Sequence, residues 1–157
     1  MTFLRAPLRF LVSPIIIAAL DLLILFPMVL SVFDVAKGIL AHVAWEEPVN
    51  IVSTVATIMI GWGVALESRE VIRKVSGHHG RADEERQSLI DGQCNSFGVA
   101  QLVLGLFAEI SVAMISLPDR IINVSGYEGE LLGVSIVLIS IGALIQARHI
   151  VLLLTGR

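Results

Sequence analysis

Charge is scarce in this chain, and cysteine is nearly absent. Asp, Glu, Lys and Arg make up only 16% of its 157 residues, and there is one cysteine, one tyrosine and two tryptophans. The single Cys94 excludes an intrachain disulfide and any multi-cysteine metal or cluster site. Its place beside an apolar run fits a reduced packing residue better than a nucleophile. With 55% hydrophobic residues and a mean hydropathy of +0.85, the chain has too little polar surface to coat a soluble globule of this size. It also lacks a basic stripe with interleaved aromatics. Its most basic stretch holds the five carboxylates Glu70, Asp83, Glu84, Glu85 and Asp91, so nucleic acid is excluded as a partner. No glycine-rich phosphate loop, HExxH stretch or Ser/His/Asp set occurs. An enzyme would have to be built from Asp21, Glu109, Gln101 and Gln146 alone, and none is expected.

What the chain does have is four long apolar runs, at about 10–33, 49–66, 97–117 and 131–154. Each approaches the ~20 residues that an α-helix needs to cross ~30 Å of hydrocarbon. The first follows Arg5 and Arg9 but is too long for the apolar core of a secretory signal, so it reads as a retained span. Nine of the 11 basic residues (Arg5, Arg9, Arg69, Arg73, Lys74, Arg81, Arg86, Arg148 and Arg157) lie in alternate connections and at the ends; only Lys37 and Arg120 fall elsewhere. That distribution is the orientation signal of a multispanning protein. The expectation is an all-α, single-domain bundle of four transmembrane helices in a bacterial inner membrane, with both termini cytoplasmic.

Polar punctuation refines the pattern. Pro27 lies inside the first run and predicts a kink. The second run carries Ser53, Thr57, Gly61 and Ala65 at four-residue steps, a stripe on which another helix backbone could close in. Helical spacing continues past it through Val71, Ile72 and Val75. After Gly77-His78-His79-Gly80, an acidic first turn leads to Leu89, Ile90, Cys94 and Phe97. Residues 67–96 are therefore expected to form a short cytoplasmic helical hairpin, with Val71, Ile72 and Val75 packed on Leu89 and Ile90. Trp45, beside Glu46 and Glu47, suits a headgroup-level anchor in the first outer loop, 34–50. In the fourth run Ser135, Ile139, Gly142, Gln146, His149 and Leu153 share one face.

Two carboxylates stand where lipid should forbid them. Asp21 lies ~11 residues, or ~16 Å, into its run and Glu109 ~12 residues, or ~18 Å, into its own, which predicts similar depth near the midplane. Ionised acids there cost at least ~2.5–3.5 kcal/mol, so both should face the bundle interior. Gln101, Gly105 and Gly98 share the Glu109 face. A second cluster of Glu67, Arg69, Arg148 and His149 falls at the cytoplasmic boundary, as salt bridges that fix helix register or as an anionic-lipid site.

The four histidines do not converge at one depth, which argues against haem. His78 and His79 with Asp83, Glu84 and Glu85 read as a solvated turn rather than a metal site. No cofactor or metal is expected.

Two functions follow from these features. One is a non-catalytic scaffold or accessory subunit that assembles with its own copies or with other membrane subunits. The other is an ion- or proton-conducting protomer, with Asp21, Glu109, Gln101 and Gln146 along the path.

Overall fold

The computed structural model describes residues 13–41, 44–75, 84–118 and 120–155. Five helices occur among them: α1 (Pro14–Leu40), α2 (Glu46–Glu67), α3 (Arg69–Val75), α4 (Glu84–Ser116) and α5 (Glu128–Thr155). All but α3 are long and apolar enough to cross a membrane. At 1.5 Å per residue they measure ~40, ~33, ~50 and ~42 Å.

The helix ends follow local chemistry. Pro14, whose fixed φ suits a first turn, opens α1 behind Ser13. The helix then passes Pro27 without interruption, and the Ser31 hydroxyl donates to the Pro27 carbonyl at 2.6 Å. It continues through Lys37 to Leu40, so most of the expected first outer loop is helix. Glu46 and Glu47 lie in the first turn of α2, where acids suit the helix dipole. Gly126, at φ 91°, makes the turn before α5 and donates its N–H to the Glu128 carboxylate at 2.7 Å.

The bundle is built on α2 and α4. A side chain begun at Gly63 would lie 2.6 Å from the Gly98 carbonyl, and one begun at Gly98 would lie 2.7 Å from the Gly63 carbonyl. One at Gly105 would meet the Ala56 carbonyl at 2.9 Å. These glycines let the two backbones touch, which is how helices associate without a hydrophobic driving force between them. The expected stripe is displaced: Thr57, Gly61 and Ala65 are exposed, and nothing lies within 4 Å of where a Gly61 side chain would start. The contact face of α2 is instead Val52, Ala56, Met59 and Gly63.

Helix α5 packs on α4 and α1, burying Ser135, Ile139, Gly142, Gln146, His149 and Leu153, the six residues expected to share a face. Helix α1 leans mainly on α5 and presents Leu22, Leu23, Phe26, Leu30 and Phe33 outward. Trp45 is half-buried against the core next to Gly129, rather than standing free at a loop tip.

The interior is divided along its length. The half away from α3 is apolar, filled by Met28, Val35, Val52, Val55, Met59, Val112, Leu132 and Ile139. The half toward α3 holds a smaller apolar cluster, Ile17, Ala18, Leu66, Cys94 and Leu153, and every buried polar or charged residue except Ser135: Asp21, Arg69, Arg73, Asp91, Gln101, Gln146 and His149, among the described residues.

At that end α2 breaks at Ser68, and α3 pairs with the start of α4. The hairpin is not held as expected, because Val71, Val75 and Leu89 are exposed. Its inward groups are Arg69 and Arg73, which share Asp91. The physical reason is register: the break at Ser68 turns the arginine face, rather than the valine face, toward α4. The predicted Gly77–Gly80 turn, His42, His78, His79, Asp83 and the first nine residues lie outside the described residues.

Candidate functional site

Asp21 sits about two turns into α1, on the face turned toward α5, and is fully buried. Three donors from two other helices reach its side chain. The Trp62 indole on α2 donates to Oδ1 at 2.6 Å, and the Gln146 amide on α5 reaches Oδ1 at 3.3 Å and the Asp21 backbone carbonyl at 3.0 Å. His149 Nδ1, one turn further along α5, lies 2.8 Å from Oδ2. The other ring nitrogen, Nε2, faces Cys94 Sγ of α4 at 3.6 Å, and Phe97 stacks obliquely on the ring at 4.6 Å between centroids. All four long helices thus converge on one buried carboxylate. A carboxylate taken from water costs several kcal/mol unless its lone pairs are satisfied, and this one is surrounded by donors.

The network extends inward by one more amide. Gln101 Nε2 donates to the Gly142 carbonyl at 2.7 Å and to Gln146 Oε1 at 3.2 Å. Its own Oε1 is buried and accepts nothing among the described residues. The polar chain ends there, against the Met28 and Met59 methyls that crowd Gly142. In the other direction, Asp91 lies one turn from Cys94 on the same face of α4. It accepts from Arg69, and from Arg73 Nε at 2.7 Å, while Arg69 Nη2 also reaches Gln87 at 3.1 Å.

The order Cys94, His149, Asp21 matches a nucleophile, a base and the group that orients the base. Two features argue against acyl transfer. The thiol is fully buried, and the Trp62 and Gln146 donors nearest it are committed to Asp21 rather than aimed at a position where an oxyanion would form.

Glu109 is elsewhere. It is half-buried at the edge between α2 and α4, where Ser53 donates to Oε1 at 2.9 Å; Oε2 has no partner among the described residues. Trp62 marks the Asp21 level on α2 and Ser53 marks the Glu109 level. Nine residues separate them, or ~13 Å along the axis. The two acids therefore do not meet, and apolar residues fill the bundle between their levels. The expectation of equal depth counted from the ends of the apolar runs; α1 begins about four residues later, at Pro14, and that accounts for ~6 Å of the difference.

The expected boundary cluster is dispersed as well. Arg69 binds Asp91, His149 binds Asp21, and Glu67 and Arg148 are exposed. Gln146 reaches Asp21 directly, and Gln101, expected on the Glu109 face, joins it only through Gln146. Trp62, Cys94, Arg73 and Asp91 were not anticipated as partners. Helical spacing could have found two of them, because Asp91, Cys94, Gly98 and Gln101 fall at three- and four-residue steps on α4. Among the described residues no group of three His, Cys, Asp or Glu side chains could hold a metal ion.

Compared with known protein families, curated proteins and solved structures, the chain matches none.

Proposed function

We propose that the protein is an integral membrane subunit without catalytic chemistry of its own, which joins other helices, of its own copies or of other subunits, through the outward face of α2 and α4. The proposal places the α3 end of the bundle, rich in arginine, on the cytoplasmic side of a bacterial inner membrane. The observation that carries it is Glu109. A carboxyl group deep in a candidate span is costly in lipid, yet this one sits at the bundle's edge with only Ser53 as a donor. Beside it on α2 run the exposed Thr57, Gly61 and Ala65, small residues that the chain's own packing does not use. A partner helix laid on this stripe would cover the exposed part of Glu109 and keep it from lipid. A conduction path through one chain has less support, since the apolar half of the core closes the interior above Gln101.

The test is the mass of the particle in nanodiscs, together with its response to three substitutions. Glu109→Gln should leave assembly nearly unchanged, because the amide keeps shape and hydrogen bonding. Glu109→Leu should weaken assembly by up to ~1–2 kcal/mol, the scale of a membrane hydrogen bond. Gly61→Leu should weaken it with the bundle still folded. A monodisperse single chain that none of the three alters would sink the subunit reading. Abolished ion flux in Glu109→Gln, with assembly intact, would favour the conducting one.

A further inference from the structure

We infer that Asp21 and His149 form a proton-binding site, a pair that holds one proton beyond the imidazole's own N–H. The inference stands apart from the subunit reading, because it concerns the interior of the bundle and not its outer face.

Geometry sets the proton count. The Trp62 and Gln146 N–H groups point to Oδ1 and His149 Nδ1 lies 2.8 Å from Oδ2, so one hydrogen must lie between the ring and the carboxyl. An ionised Asp21 beside a neutral ring would place a net negative charge in a fully buried position between candidate spans. Protonation of the ring removes that net charge, and the charged ring then has a place for both hydrogens. Nδ1–H points to Oδ2 at 2.8 Å, and Nε2–H points to the Cys94 sulfur at 3.6 Å. No second carboxylate competes for the ring.

The remaining charged and titratable neighbours are few. From α4 the pair faces Cys94, with Asp91 one turn beyond; from α3 come Arg69 and Arg73, both bound to Asp91. From α2 it faces Trp62, and Glu67 is exposed. From α5 it faces Gln146, and Arg148 is exposed.

The site is enclosed on both sides: Ile17, Ala18, Leu66, Cys94 and Leu153 pack toward the α3 end, and Met28, Met59 and Ile139 on the other. Release of the added proton would leave the Asp21 carboxylate without a counter-charge at the joint between α1 and α5.

Ring-nitrogen NMR of 15N-histidine-labelled protein in lipid nanodiscs, at about pH 7.5, tests this. The four histidines are distinguished by the signal missing in His149→Asn. His149 should give an imidazolium signal, with both ring nitrogens protonated. Cys94→Ala should keep that signal, since the thiol is only the second acceptor, and Asp21→Asn should lose it. A His149 ring protonated on Nδ1 alone in the unsubstituted protein overturns the proposal, because the pair then holds only the imidazole's own N–H; a ring protonated on Nε2 alone keeps the proton count and moves the added proton to the Asp21 carboxyl. Loss of the signal in Cys94→Ala also overturns it, because the ring would then pair with a thiolate. Both decisive readings remain available even if Asp21→Asn does not fold.

Discussion

Gly98→Ala should destabilise the bundle by up to ~2 kcal/mol, and Gly98→Leu should prevent it from forming. A β-carbon at this position would lie 2.7 Å from the Gly63 carbonyl and 2.8 Å from the Glu67 amide nitrogen. Both are backbone atoms of a helix and cannot swing aside, so α2 and α4 must separate along the contact that founds the fold. Overpacking of this kind costs ~1–3 kcal/mol or more, and it outweighs the ~1 kcal/mol that alanine gains over glycine in a helix. Gly63→Ala should behave alike, facing the Gly98 carbonyl at 2.6 Å and the Leu102 nitrogen at 2.7 Å. Gly61→Ala supplies the contrast on the same helix. Nothing lies within 4 Å of its new carbon, so the bundle should be as stable as before or slightly more so. Reversible unfolding in mixed detergent micelles, followed by helical circular dichroism, would rank the three. A Gly98→Ala protein as stable as the parent would mean that the α2–α4 contact is looser than its geometry.

That contrast also measures how far the sequence could be read. The four long helices were legible because apolar runs of near-spanning length leave little alternative. The buried face of α5 was legible because Ser135, Gly142, Gln146 and His149 are polar or small at helical spacing in an otherwise apolar run. The face of α2 was misread for the same kind of reason. Two stripes compete there: Ser53, Thr57, Gly61 and Ala65 repeat regularly, whereas Val52, Ala56, Met59 and Gly63 mix large and small. Only the backbone position of α4 decides between them. The Asp21 cluster was half legible. Gln101 and Gln146 were expected near an acid, but the pairing of Asp21 with His149 rather than Glu109 depends on where α1 begins. A shift of four residues, or ~6 Å, is enough to change an acid's partners. Trp62 carried no signal, because an indole near a helix end reads as a membrane-interface anchor and not as a donor to a buried carboxylate.

The hairpin end gives the second large effect. Asp91→Ala should cost ~3–5 kcal/mol, the range for removing one member of a buried ion pair, because it takes from two guanidinium groups the carboxylate they share. Arg69 is the more severely affected, being almost wholly buried, while Arg73 keeps 11% of its side chain exposed and can turn toward water. The loss should therefore be repaired from the arginine side. Arg69→Met combined with Asp91→Leu should recover much of the stability that Asp91→Ala loses, since an apolar pair of similar volume often replaces a buried ion pair without penalty. The neighbouring Lys74–Glu70 pair is the control for exposure: it lies on the same short helix but in solvent. Lys74 holds the Glu70 carboxyl below its ordinary range. Its small contribution is thus present above the ordinary glutamate value and lost as pH falls through the lowered one. Glu70→Gln should consequently leave the unfolding curve almost unmoved, as exposed pairs usually do. Unfolding of the single and paired variants would separate the two cases. If Asp91→Ala were as mild as Glu70→Gln, the buried arginines would have to be held by something other than Asp91, and the hairpin would owe its position to the exposed valines after all.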